Sequence, residues 1–191
     1  MSANASQASK RERQMSMRGG RYSPGWRQYR APFQPLGNDR AMFGPLQEML
    51  LMHERKLTLC STLEDIADSL PEQVERLTCL TVASALLPLL HHAHHLEETI
   101  IFPAYDALPD ATKAAGTTQR LRIEHVEDEC FADELTEILF KIGREGEVAN
   151  AEMFGFMLRG FFEGTRRHIA FEREHIAPIV RAAFAKSPHE I

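Results

Sequence analysis

His94 with Glu98, and His168 with Glu172, form two His-x-x-x-Glu pairs in one chain. A lone histidine precedes each: His53 stands 41 residues before His94, and His125 stands 43 before His168. Equivalent positions recur 72 to 74 residues apart, so a single pattern occurs twice. A four-residue step brings two side chains onto the same face of a helix, one turn apart. Two such units folded together would aim four imidazoles and two carboxylates at one interior point. Carboxylates from different helices can each bridge two cations, and the imidazoles would complete two half-sites. Imidazole with carboxylate suits iron, manganese or zinc, and the lack of a cysteine ligand argues against a structural zinc knot. The chemistry expected is therefore a pair of iron-like ions, with iron preferred and manganese or zinc as substitutes.

Helices must position these groups. Beyond Pro45, Leu46, Met49, Leu50, His53, Leu57, Cys60 and Ile66 follow three- and four-residue steps as far as Leu70-Pro71. A second helix is expected from near Pro71, a good first-turn residue, towards Ala107. Pro88 should kink or split it, and Pro103 should bend its last turns. A third is expected from about Gln119 to Ile142, ending at Gly143, and a fourth from roughly Asn150 to Lys186. No alternating run with hairpin signals reads as a strand. Four long helices with short connections predict an all-α, up-down-up-down four-helix bundle.

Helical geometry ranks the candidate ligands. At about 100° per residue, His94 and Glu98 fall on the side of Leu87, Leu90, Ile101 and Tyr105. His91 and His95 lie towards the edge of that face, His92 lies well round the helix, and Glu97 is on the other flank. His168 and Glu172 join Phe161, Ile176 and Ile179, while His125 continues the line of Leu121, Ala132 and Leu139. Six polar groups on apolar faces need partners or a metal, because an unpaired buried charge costs several kcal/mol. Any one of these histidines alone would be read as a hydrogen-bonded core or surface residue. The doubled pattern reverses that reading. The register of the first pair stays open between His94 and His95, with face geometry favouring His94.

Length and composition set the frame. The chain has 191 residues, 43% of them hydrophobic and 26% charged, as expected of one soluble globular domain. No stretch approaches the roughly 20 apolar residues that span a bilayer, and no apolar signal core opens the chain. Cys60, Cys79 and Cys130 are widely spaced and odd in number, which favours reduced thiols in a cytoplasmic protein. The net charge of −5 hides an asymmetry: residues 1–38 carry +6 and the remainder −11. Lys10, Arg11, Arg13, Arg18, Arg21, Arg27 and Arg30 mix there with Tyr22, Trp26, Tyr29 and Phe33. We read residues 1–38 as a basic, disordered arm and 39–188 as the helical domain. The arm is expected to contact an acidic partner or its own acidic bundle, without specific nucleic-acid binding, since no folded reading element lies beside it.

Residues from about Leu46 to Pro178 resemble the hemerythrin-like, or HHE cation-binding, family. His53, then His94-His95-Leu96-Glu97-Glu98 followed by Phe102-Pro103, resemble the first half of its signature; His168 to Glu172 with Ile176-Ala177-Pro178 resemble the second. The resemblance implies a non-haem di-iron centre with His53, His94, Glu98, His125, His168 and Glu172 as ligands. His95, Glu129 and His91 stand next in line. Oxygen-carrying hemerythrins place two histidines one turn apart on the third helix, whereas here Glu129 follows His125. The chain thus looks more like bacterial HHE domains linked to iron, oxygen or nitric-oxide handling.

Function is accordingly expected to be binding or sensing of dioxygen, nitric oxide or iron and redox state. The alternative is a di-iron enzyme of iron–sulfur cluster repair or of peroxide or nitric-oxide detoxification. Proteins of cluster repair share the four-His, two-Glu set but carry a cysteine-bearing leader, and residues 1–38 contain no cysteine. Ferritin-like iron handling needs Glu-x-x-His on two helices, and the chain offers it once, Glu172 to His175.

Overall fold

Apolar side chains at three- and four-residue steps build helices, and no strand occurs among the described residues, which are 40–109, 113–114 and 116–186 of this computed structural model. The arm expected over residues 1–38 lies outside them. Helix α1 (Arg40–Ser69) buries Leu46, Met49, His53, Lys56, Cys60, Leu63 and Ala67, a continuous stripe of three- and four-residue steps. It runs through Pro45 and stops before Leu70-Pro71.

The second helical arm is α2 (Arg76–Leu96), a π-helical turn (Glu97–Ile101) and α3 (Phe102–Asp106). It begins at Arg76 rather than near Pro71, which sits in a turn. Pro88 does not split α2 as expected. Its ring lies on the exposed face, and Ser84, whose carbonyl loses a partner, is an exposed residue too. The irregularity falls instead at the π turn before Pro103. There the Phe102 N–H bonds to the Glu97 carbonyl, five residues back. A proline ring clashes with the carbonyl four residues earlier, and a wider turn relieves that clash.

Helix α4 (Thr117–Glu145) is longer than expected at both ends. Its cap is Gly146, at φ +80°, whose N–H bonds to the Ile142 carbonyl at 2.7 Å. Gly143, the expected stop, is buried within α4 for a different reason. A Cβ there would lie 2.5 Å from Leu80 Cγ on α2, and the Gly143 carbonyl accepts from Arg76 Nε at 3.0 Å. Helix α5 (Ala151–Phe171) is capped by Asn150, whose side chain accepts from the Met153 N–H at 2.9 Å. A second π turn (Glu172–Ile176) leads into α6 (Ala177–Lys186), again just before a proline, Pro178.

The buried side chains form two apolar clusters. One gathers Cys60, Leu63, Leu86, Leu90, Leu135, Leu139, Leu158 and Phe161. The other gathers Met49, Ile101, Phe102, Leu121, Ile176 and Val180. Every arm places buried polar residues between these clusters: His53 and Lys56, His94 and Glu97, His125, His168 and Glu172. A polar layer therefore crosses the core. The close approach of α2 to α4 gives a test. Gly143→Ala should destabilise by about 1–3 kcal/mol through overpacking against Leu80, measured by urea unfolding. An unchanged midpoint would mean that the helices separate freely at this point.

Candidate metal centre

The inward stripe of the second arm is Leu86, Leu90, Ala93, Glu97 and Ile101, all buried. That of the fourth arm is Phe161, Thr165, His168, Glu172 and Ile176, also all buried. Each pair of equivalents lies 75 residues apart, and each glutamate opens a π turn. Glu97, placed on the other flank from sequence, is thus the interior carboxylate of this arm. Glu98, expected inside, has a side chain 37% exposed and meets His125 Nδ1 from outside at 2.8 Å. The discrepancy arises because the stripe passes through Ala93, with His94 on its shoulder. The residue three on from His94, rather than four, then faces the interior. A spacing in the sequence carried this signal: Glu97 precedes Pro103 by six residues, as Glu172 precedes Pro178.

Four of the interior groups converge. Ligand atoms of Glu97, His125, His168 and Glu172 all lie within 4.8 Å of one another. His125 Nε2 is 3.3 Å from His168 Nε2 and 3.3 Å from Glu97 Oε2, and His168 Nε2 is 3.5 Å from Glu172 Oε1. The outer nitrogens of both rings are held by carboxylates: His125 Nδ1 by Glu98, and His168 Nδ1 by Glu124 Oε2 at 3.0 Å. A ring that donates from Nδ1 presents its Nε2 lone pair, so two lone pairs face each other and repel unless a proton or metal ion lies between them. Glu97 Oε2 and Glu172 Oε1 are buried and accept no hydrogen bond, a condition shared among the described side chains only by Thr136 Oγ1. Two imidazoles and two orphaned carboxylate oxygens fit a metal cation.

The remaining expected residues are placed around this cluster. His53 is fully buried, with Nε2 3.0 Å from Glu172 Oε2. His94 is buried but turns its Nδ1 to Glu129 Oε1 at 2.8 Å and stacks flat on His125, ring centroids 3.9 Å apart. His91 is exposed, 3.5 Å from the other Glu129 oxygen, and His95 is exposed. His92 projects outward to Glu48. His175, the second half of the lone Glu-x-x-His, is also exposed beside Glu174. Lys56 was not anticipated: it is 2% exposed, and its Nζ donates to Glu97 Oε1 at 3.3 Å. Its place in the α1 stripe was legible, but lysine is among the residues least often buried.

Electrostatics follow the geometry. Burial opposes ionisation of Glu97, yet the Lys56 charge and the neighbouring imidazoles outweigh it and hold the carboxyl well below its usual range. Burial and the Glu97 charge oppose ionisation of Glu172, but His168, His53 and Lys56 lower it to about 2. Burial and the neighbouring His125 ring press His94 down to about 2, so it stays neutral. Burial works against protonation of His168 as well, but Glu172 beside it raises that histidine.

The sequence profile of the Hemerythrin HHE cation binding domain matches residues 44–180. The chain belongs to this family, and cation binding is the property its description records. No curated protein and no solved structure matches the chain significantly. No described helix is long and apolar enough to cross a membrane.

Two predictions follow from the placement of the carboxylates. With metal removed by chelator, Glu97→Ala should cost about 3–5 kcal/mol in urea unfolding, because it strands Lys56 in the core. Glu98→Ala should cost about 1 kcal/mol or less, as expected for a partly exposed pair. The reverse order would restore Glu98 as the interior residue. The second concerns acid. A carboxylate held down in the folded state stabilises fully above its unfolded value and loses that contribution as pH falls through the folded one. Metal-free protein should therefore lose stability steadily from pH 4.5 towards about 2. Neutral His94 acts in the same direction below 6.5, whereas His168 is protonated in both states across this window and adds no slope. A midpoint unchanged between pH 5 and 3 by circular dichroism would contradict the buried, ionised pair.

Proposed function

We propose that this protein is a non-haem iron protein whose centre binds or senses a diatomic ligand, dioxygen or nitric oxide, or reports iron and redox state. One observation carries the reading: the Nε2 atoms of His125 and His168 converge with Glu97 Oε2 and Glu172 Oε1 inside the core. Two imidazoles with carboxylate oxygens and no thiolate suit iron, and so few protein ligands leave positions on an octahedral ion. When bound, a ferrous ion would supply the open coordination positions and the electrons that a diatomic ligand requires.

The chain's own residues set the conditions for that chemistry. Glu98 and Glu124 orient the two rings and strengthen them as donors. Phe102 packs against His125, ring centroids 5.5 Å apart, and with Ile101 and Ile176 excludes water from one side of the cluster. Glu129, partly exposed, bonds to buried His94, which stacks on His125; this line of contacts can hold a proton close to the centre. Connections of a few residues, at 70–75 and 146–150, join α1 to α2 and α4 to α5, which supports antiparallel neighbours and an up-down-up-down bundle. The free thiols of Cys60, Cys79 and Cys130 suit a reducing cytoplasm.

The test is anaerobic loading with ferrous iron, followed by exposure to nitric oxide and to dioxygen under stopped-flow absorption. Bound iron with new visible bands for either gas is the expected result, and His125→Ala and His168→Ala should lose both iron and bands. Iron-loaded wild-type protein that answers neither gas would overturn the diatomic-ligand reading.

A further inference from the structure

The two interior carboxylates have unlike sides. Towards α4 and α5, Glu97 Oε2 and Glu172 Oε1 face the Nε2 atoms of His125 and His168, whose outer nitrogens donate to Glu98 and Glu124. That side presents lone pairs. Towards α1, Glu97 Oε1 accepts from Lys56 Nζ at 3.3 Å, and Glu172 Oε2 lies 3.0 Å from His53 Nε2. Arg173 Nε donates to His53 Nδ1 at 3.4 Å, and Glu54 holds that guanidinium at 2.7 Å. A ring that accepts at Nδ1 carries its proton on Nε2, so His53 donates to Glu172 rather than offering a lone pair. This side presents protons and a fixed ammonium.

The internal repeat shows the same asymmetry. On the 75-residue register that aligns Glu97 with Glu172 and Pro103 with Pro178, the equivalent of His168 is Ala93, a buried methyl group. On the 72-residue register that aligns His53 with His125, the equivalent of Asp128 is Lys56. One half of the doubled pattern thus carries a methyl group and a cation where the other carries an imidazole and a carboxylate.

We propose that the centre holds one metal ion, bound by His125, His168, Glu97 and Glu172, and that the Lys56 ammonium with the His53 N–H takes the place of a second ion on the other side of the carboxylates. The inference rests on the metal-binding reading above and departs from the two-ion expectation drawn from sequence. Buried carboxylates need positive charge on both sides, and a lysine supplies it without coordination positions. A single ion held by two imidazoles and carboxylate oxygens retains open positions for a small ligand, whereas the α1 side is closed to it.

Cobalt(II) titration of the metal-free full-length chain, followed by its visible bands and by elemental analysis, tests this. A break at about one equivalent per chain is expected. The iron-loaded, oxidised protein should give the half-integer-spin resonance of an isolated high-spin ferric ion. A break at two equivalents with a spin-coupled, resonance-silent ferric form would overturn the single-ion proposal and leave metal binding intact. No uptake at all would overturn both. In Lys56→Gln, loss of the ammonium should admit a second, weaker equivalent. A folded Lys56→Gln that still stops at one would show that the ammonium is not what excludes the second ion. If that variant does not fold, the wild-type break and resonance decide alone.

Discussion

Two carboxylates buried side by side in a helical core constrain everything around them. Glu97 and Glu172 are wholly inaccessible, and two like charges so placed repel each other and have lost their hydration. Only positive charge and hydrogen-bond donors can hold them ionised. Lys56 and His53 supply these from α1, while the Nε2 atoms of His125 on α4 and His168 on α5 face the remaining oxygens. A further ring of carboxylates, Glu98, Glu124 and Glu129, then holds the outer nitrogens of His125, His168 and His94. The polar layer is organised outward from the glutamates, with imidazoles lying between the inner and outer carboxylates.

The apolar clusters above and below this layer set its electrostatics. Side chains such as Leu90 and Phe161 on one side, and Ile101 and Ile176 on the other, keep water from the carboxylates. In such a medium each hydrogen bond is stronger than in water, and each unpaired polar atom is more costly. That is why the orphaned oxygens of Glu97 and Glu172 carry so much weight. An exposed carboxylate oxygen would be satisfied by solvent and would imply nothing.

The two π turns tie the layer to the backbone. Each starts at an interior glutamate and ends just before a proline, so the wider turn sits where a proline ring would otherwise strike a carbonyl. The extra residue in the turn keeps Ile101 and Ile176 on the inward side, beneath the glutamates. A local backbone feature thus lets a polar layer and an apolar one follow each other along one face. Its recurrence at the same offset gives the two halves a like backbone carrying unlike side chains.

Much of this was legible in the chain alone. The spacing of His53, His125, His168 and Glu172 on apolar helical faces needed no tertiary information, because a residue's face follows from the period of its helix. The helical class followed from the same periodicity, and the resemblance to the HHE family was carried by those residues with their prolines. The choice between Glu97 and Glu98 was different. The two flank the same inward line, and which one points in depends on the stripe through Ala93 and the wide turn after Leu96. The helix ends behaved alike: Gly143 read as a stop, but its lack of a side chain serves the contact with Leu80 on a helix distant in sequence. Lys56 shows the limit most clearly. Its position in the α1 stripe was readable, but a lysine is buried only where a carboxylate from elsewhere meets it. That carboxylate, Glu97, lies 41 residues away and is brought to Lys56 by the packing of α1 against α2. Periodicity fixes which way a side chain faces, whereas partners across the core depend on how helices pack, and only the folded chain decides that.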